Sequence, residues 1–408
     1  MGSRARPKDG LSLVDPSHGL LKDTPFTFPS HQREGIEEGI PLRKLFGQYL
    51  HAWLLLIVLP MILWTCGGGG GGGDTPPAFS QSDLTGSWDV IELDTGNNFG
   101  WARYNVSIDG SGNAAVNNGL DSSGFSYSGP PVDIQTKWVI NGSGTIREYD
   151  TSSSPNILSP SLYGSLASNK KLAVATDNGD AMFMYYLQVA RKRDASVIFG
   201  DGDIRGKTFV YHQLYGGPDS VWVHGSGSID LFGTVTLDNA VDPAGALPGY
   251  PQNISSLVVD SEGVITNGND FYGWLTLDKS TIFALIDDPM GHSMYRFVVI
   301  QFLGQTYTQA DLAATWRFHV LYGWNAPGWL KGTWTIDSAG VGTYDSSTYM
   351  SDFGPAVPPA SETLALAPNG IITNPANLTY HGMMSSGKDL YVRTRTSGQR
   401  YSIAISVK

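Results

Sequence analysis

A chain of 408 residues has room for several domains, and a hydrophobic share of 41% is enough to give each a packed core. Fifty Gly, 19 Tyr and 11 Trp beside only 15% charged residues favour β-structure with many turns over helical bundles. The formal charge of −11 argues against nucleic acid as a partner, since phosphate binding needs clustered Lys and Arg, and a single cysteine rules out an internal disulfide.

Residues 1–42 are polar, carry mixed charge and show no sustained period. They read as a disordered segment, or as a start assigned too far upstream. Arg43-Lys44 then precede an apolar run, Leu45–Trp64, and residues 43–65 have the basic-then-apolar order of a secretory signal. Thr65-Cys66 and seven glycines, Gly67–Gly73, follow, so 66–78 reads as a flexible tether.

This junction resembles a bacterial lipoprotein signal. Leu63 matches the aliphatic residue usual three places before the cysteine, whereas Trp64 and Thr65 are larger than the residues usual there. The resemblance implies that Cys66 carries lipid and becomes the mature N-terminus. The membrane is then a partner through that lipid, and the protein belongs to the bacterial cell envelope, at the outer membrane or cell surface. The alternative is an uncleaved membrane helix, because about 20 apolar residues can span a bilayer. Either way the rest of the chain lies outside the cytoplasm.

From Ala78 onward one pattern is written three times. Trp329 leads to Ile336-Asp337-Ser338-Ala339-Gly340; Trp222 leads to Ile229-Asp230-Leu231-Phe232-Gly233; Trp101 leads to Ile108-Asp109-Gly110-Ser111-Gly112. Each copy is a strand, a tight turn needing Gly at positive φ, and a second strand. Further marks recur in the same order. An acidic-aliphatic pair opens each unit (Asp83-Leu84, Asp203-Ile204, Asp311-Leu312), and an aromatic follows (Trp88, Phe209, Trp316). Later come a second turn on Gly144, Gly263 or Gly370, then a Gly with Lys six residues on: Gly164/Lys170, Gly273/Lys279 and Gly382/Lys388. The units are drawn as 79–191, 199–302 and 305–408.

Each unit holds about eight short strands and no convincing helix, which suits an antiparallel up-and-down barrel without exposed edges. The fold class is therefore all-β, with three tandem barrel-like domains. A six-bladed propeller would make the halves of each unit alike, and they show little likeness; a sandwich is the third option. Gly86-Ser87-Trp88 resembles the Gly-x-Trp of lipocalin-like barrels, in which the Trp plugs one end. Ala314-Thr315-Trp316 and Gly206-Lys207-Thr208-Phe209 depart from it. That resemblance implies a fold and no particular ligand.

Motifs for chemistry are sparse. Gly200 to Thr208 has the wrong glycine spacing for a phosphate loop and precedes a strand. As a calcium loop it puts Arg205 at a ligand position; Asp201 and Asp203 read as a solvated linker sooner than as a cation site. His212, His224, His292, His319 and His381 show no metal-ligand spacing, so no metal and no cofactor is expected, and the repeated His212 and His319 read as surface residues. No Gly-x-Ser-x-Gly elbow occurs.

Aromatic loops are the best lead. Trp101, Tyr215, Trp222, Tyr322, Trp324 and Trp329 lie where Gly- and Pro-rich loops follow the first strand. Such rings can stack on a glycan or cover an apolar small molecule. The recurring Trp101, Trp222 and Trp329 also suit a framework role, filling each barrel end. Closing strands Met182–Val189 and Met294–Phe302 are apolar on both faces, whereas Tyr401–Val407 alternates. That contrast predicts three units packed in a row, the last with one face in water. The functional expectation is an envelope-anchored binding or structural module. The alternative is an extracytoplasmic glycan hydrolase, which would show inward carboxylates in one unit that the others lack.

Overall fold

The computed structural model describes residues 78–408 except 98, 129–135, 152–156, 159–161, 179–183, 219, 248–253, 255, 288–294, 324–325 and 353. All described residues fall within the compact unit Gly72–Lys408. The signal segment, Cys66, the glycine tract, Met182, Phe183, His292, Met294 and Trp324 lie outside the described residues.

The described chain is nearly all antiparallel strand, arranged as three sheets. In the first, Gly86–Gly96 pairs with Gly100–Ile108 on one side and Met184–Lys192 on the other. The path continues through Leu172–Asn178, Tyr163–Leu166, Thr145–Asp150, Thr136–Ile140 and Asn113–Asp121, which pairs back onto Gly100–Ile108. That closes an eight-stranded barrel. In the second sheet the bridge Val235↔Ile254 ties the strand Val235–Asp242 to the segment just before Val258–Val259, the last strand of the path, which makes it barrel-like. In the third, Val341↔Thr363 and Gly342↔Glu362 do the same.

The recurring sequence marks have physical causes. Asp109, Asp230 and Asp337 each turn Oδ1 back to accept two backbone N–H groups, for example from Ala339 and Val341 at 2.9 Å each. The turn closes on Gly340 at φ +88°, where a Cβ would meet the Leu364 carbonyl oxygen at 2.1 Å. Only glycine satisfies both conditions. The opening acid and the late lysine, far apart in sequence, are an ion pair: Lys170–Asp83 at 3.1 Å, Lys279–Asp203 at 3.0 Å and Lys388–Asp311 at 2.9 Å. Asp203 is thus held by lysine and Asp201 by Arg205.

At the start of the opening strands Trp88 and Trp316 are buried inside their own barrels, each donating its indole N–H to a backbone carbonyl, Leu84 at 2.7 Å and Leu312 at 2.8 Å. Phe209 takes the corresponding place in the second barrel. Strand alternation sends Val90, Phe318 and Tyr211 to the same interiors.

The opposite faces of these strands do not meet water. Ile91, Leu93, Leu214, Leu321, Val189, Phe297, Val299, Ile403 and Ile405 pack into one further core shared by all three sheets. The opening hairpin of each barrel lies on the closing strands of another: first on second, second on third, third on first. The three therefore close a ring, which corrects the expected row. Tyr401–Val407 is no exception, because Ile403, Ile405 and Val407 face the shared core while buried Ser402 and Ser406 turn inward. Two further corrections follow. Trp101, Trp222 and Trp329 are buried, but in the shared core and not at a barrel end. His212 and His319 are buried at junctions between barrels, not on the surface, and share hydrogen bonds with Thr394 (3.3 Å) and Thr176 (3.2 Å) of the neighbouring sheet. At the remaining junction the corresponding position is Ile91, which needs no such partner.

Candidate functional site: the first barrel

The opening strand of the first barrel carries Trp88 and Val90 into the interior, and its two-residue period then carries in Glu92 and Asp94. At the same places the second barrel has Gln213 and Tyr215, and the third has Val320 and Tyr322. Tyr104, Glu148, Asp177 and Gln188 come in from other strands of the first barrel and converge on this level. Gln188 donates to Glu92 Oε2 at 2.6 Å and the Tyr104 hydroxyl reaches the same oxygen at 3.5 Å.

Burial is the main influence on these acids. It raises Glu92 above the ordinary glutamate value, against the pull of hydrogen bonds from Asp94, Gln188 and Tyr104. Asp94 is raised well above the ordinary aspartate range, by burial first and then by the charge and hydrogen bond of Glu92 and the charge of Asp121. Asp94 Oδ1 is fully buried and accepts no hydrogen bond among the described residues. The Tyr104 hydroxyl is likewise pushed far up by burial and by Glu92, Glu148, Asp94 and Asp177. Among the described residues no cation acts on this pair of acids.

Below the acids, toward the Trp88 end, the interior leaves a gap of only about 10 Å³, room for about one water. Trp138, Ile146, Leu162, Gly164, Ala173, Ala175 and Ala190 line a cavity with Gln188 at its rim. The three alanines make the space. Their counterparts are Ile282, Ala284 and Ile300 in the second barrel, and Tyr391, Arg393 and Ser406 in the third, all buried. The third barrel also buries an acid, Glu362, but with Arg395 at 3.0 Å and Arg393 at 4.0 Å. Burial works to raise Glu362, and the two arginines outweigh it, so its carboxyl sits below the ordinary value.

The expected ligand-binding aromatics are elsewhere. Trp101, Trp222, Trp329 and Tyr322 are buried and Tyr215 is half-buried, and Trp324 and Cys66 lie outside the described residues. Tyr215 and Tyr322 occupy the places that Asp94 holds in the first barrel. Glu92, Asp94, Tyr104, Glu148, Asp177 and Gln188 were missed. The signal that finds them is the alignment of the three copies on one another, which shows acids in one copy where the others have amide, aromatic or aliphatic side chains.

No family model matches this chain, and no curated protein matches it. Among solved structures, one similar chain is a protein of unknown function from the DUF3598 family of Nostoc punctiforme, at 9% identity and a TM-score of 0.21, covering 54% of this chain and 96% of that one. Another is the isotype 1 transferrin binding protein B of serogroup B Neisseria meningitidis, at 11% identity and a TM-score of 0.24, covering 76% of this chain and 63% of that one. Likeness this low carries no functional argument. The reading of the site rests on its geometry.

Proposed function

We propose that this chain is an envelope-anchored binding protein whose site is the acidic level of the first barrel, the other two barrels completing the ring. The observation that carries the reading is the contrast between barrels. The first buries Glu92 and Asp94 with no cation acting on them among the described residues, where the others carry Gln213 and Tyr215 or Val320 and Tyr322. Burying acids without a neighbouring cation costs stability, and such a cost persists where a site is used. The anchor is Cys66, supported by the basic, apolar, cysteine and glycine order of residues 43–73. Among the described residues no helix is long and apolar enough to cross a membrane.

Inward carboxylates confined to one barrel are also what a glycan hydrolase would show. Glu92 and Asp94, however, hydrogen-bond each other. Catalytic pairs in retaining and inverting glycosidases stand about 5–9.5 Å apart, to admit a nucleophilic attack or a water. The contact favours binding over hydrolysis.

Native mass spectrometry of the detergent-extracted chain tests the reading. The wild type should carry a releasable small-molecule adduct, and Glu92→Gln/Asp94→Asn, which removes both acids, should not. The same spectra report whether the mature chain begins at a lipid-modified Cys66. Equal adduct loading of the two proteins would remove the first barrel as the site; an unmodified thiol on a chain beginning elsewhere would remove the anchor.

A further inference from the structure

We infer that the end of the ring carrying Leu231 and Phe232 lies on the bilayer, with these two side chains seated among the acyl chains as a second membrane contact. This goes beyond the anchor reading and rests on it. In all three barrels the Asp-x-x-Gly turn is fixed by its aspartate and its glycine, so the fold leaves the two residues between them free. The first and third turns fill those places with Gly110-Ser111 and Ser338-Ala339. The second has Leu231 and Phe232, 73% and 82% exposed. Nothing in the turn requires large apolar groups there, and in water they cost free energy.

Of the nine large apolar side chains exposed among the described residues, Ile198, Leu231, Phe232, Val258 and Leu303 share one end of the second barrel. Backbone hydrogen bonds link their neighbourhoods. Leu303 donates its N–H to Thr208, Gly206 to Ile229 at the base of the turn, Leu257 to Gly233 at its close, and Phe199 to Ser261. Apolar groups gathered in this way mark an interaction surface, whereas singly scattered ones do not. Where the chain enters the ring decides the occupant. Ala78 and Ile198 hold the same place in the first and second barrels, their carbonyls accepting from Lys170 at 3.5 Å and Lys279 at 2.8 Å. Asn169, Asp278 and Gly387, on the matching lysine-bearing turns of the three barrels, line one cavity, so the barrels point the same way. Ala78 therefore enters at the end that carries Ile198 and Phe232. Cys66 lies twelve residues before it. A glycine-rich tether of that length reaches about 20 Å, so a lipid on Cys66 keeps this end beside the bilayer at high effective concentration.

Lipid quenching tests this. The variants Ile198→Cys, Leu231→Cys, Phe232→Cys and Leu378→Cys of the full chain are labelled with a polarity-sensitive fluorophore; a lipidated Cys66 takes no label. Leu378 is the control: it is 88% exposed and starts the strand Asn377–Met384, whose other end meets Tyr307, the third barrel's counterpart of Phe79. Each protein is reconstituted into phosphatidylethanolamine–phosphatidylglycerol vesicles with and without brominated acyl chains. Labels at positions 231 and 232 should shift to the blue and lose emission to bromines placed high on the chain, as insertion by about 5–10 Å requires. The label at position 378 should do neither. Adding Leu231→Ser/Phe232→Ser should relieve whatever quenching the label at position 198 shows. Water-like labels at 231 and 232, or quenching at 378 in their place, would overturn the inference. So would a blue shift that brominated lipid leaves untouched, because protein, a second copy included, would then cover the tip. Intact mass of the unlabelled chain reads the anchor separately. A water-like tip on a chain lipidated at Cys66 removes the second contact and leaves the anchor; an unmodified Cys66 removes both.

Discussion

The ammonium of Lys331 lies 4.0 Å from the centre of the Tyr163 ring, across the junction between the third and first barrels. The other two junctions use the same two positions with different chemistry. Arg103 sits 3.7 Å over Tyr272 between the first and second barrels, and His224 stacks on His381 at 4.7 Å between the second and third. Residues 103, 224 and 331 each stand two places after the recurring Trp; 163, 272 and 381 each stand one place before the recurring Gly. Cation–aromatic pairs of this kind contribute about 0.5–2 kcal/mol, more as they lose water. A double-mutant cycle of Arg103→Met and Tyr272→Leu, read by urea unfolding, should return a coupling in that range. Coupling of zero would mean that the two residues only share a neighbourhood.

The second-to-third junction should be the acid-sensitive one. His212, His224 and His381 form a stack, with centroids 5.0 and 4.7 Å apart, and Trp222 borders His381. Burial, followed by His381, lowers His224 from its ordinary 6.5 to about 4, and burial also lowers His212 and His381. A base whose folded value is depressed is neutral in the fold and takes its proton on unfolding. Its contribution is therefore complete above pH 6.5 and is lost as pH falls from there to about 4. The variant His224→Gln should lose less stability than the wild type between pH 7 and pH 5, by an amount on the order of 1–3 kcal/mol. Parallel pH profiles for the two proteins would remove the stack as a source of the acid sensitivity.

What could be read in the sequence was whatever repeats with a local cause. The Asp-x-x-Gly turns are set by one side chain and one backbone angle, and both show as letters. The Asp311–Lys388 tie was visible as two marks, though not as a pair, because nothing in the chain says that its ends meet. The direction of Trp329 was not legible. A strand buried on both faces loses the alternation that would tell barrel interior from ring centre, so a recurring Trp fits either. His319 was misread for the same reason, since its partners Thr176 and Ser165 belong to another barrel. The acids of the first barrel were legible in principle, because Asp94 aligns with Tyr215 and Tyr322.

The three recurring tryptophans should differ in how much their N–H matters. Trp222 donates to Thr396 at 2.9 Å and Trp329 to Asn178 at 2.5 Å, whereas the Trp101 indole nitrogen has no partner among the described residues. Replacement by Ala should cost roughly 3–5 kcal/mol at each site. Replacement by Phe keeps most of the apolar area and removes the hydrogen bond. Trp222→Phe and Trp329→Phe should then cost about 1 kcal/mol more than Trp101→Phe, as the acceptor is left unpaired. Equal losses for the three Phe variants would show that packing alone sets their worth.

Ring closure predicts that no barrel is comfortable by itself. Residues 305–408 alone would expose Leu321, Trp329, Ile403, Ile405 and Val407, all buried in the shared core of the full chain. Residues 79–191 alone would expose Ile91, Leu93, Leu187 and Val189. Both fragments should therefore self-associate, and mixing all three barrels as separate chains should suppress it. Sedimentation velocity decides: a monomeric 305–408 with native-like melting would contradict the ring.

The last prediction sets stability against function within the first barrel. Asp94 is raised well above 3.8 in the fold, so the folded chain keeps a proton that the unfolded chain gives up. The sign is opposite to that of the histidines. Below pH 3.8 the group is protonated in both states and has no effect; as pH rises from there through its folded value, stability is lost. Each unit by which the carboxyl is raised is worth about 1.4 kcal/mol once pH exceeds the folded value. Asp94→Asn keeps the shape and cannot ionise, so it should be more stable than the wild type at pH 8. The two proteins should converge toward pH 4, where both side chains are neutral. Urea unfolding at pH 8, 6 and 4 measures the difference. A variant that is less stable than the wild type at pH 8 would mean that the Asp94 carboxylate is held by a favourable partner, and the acidic cup would then be structural. A variant that gains stability while losing ligand places Asp94 among residues kept for binding at the expense of the fold.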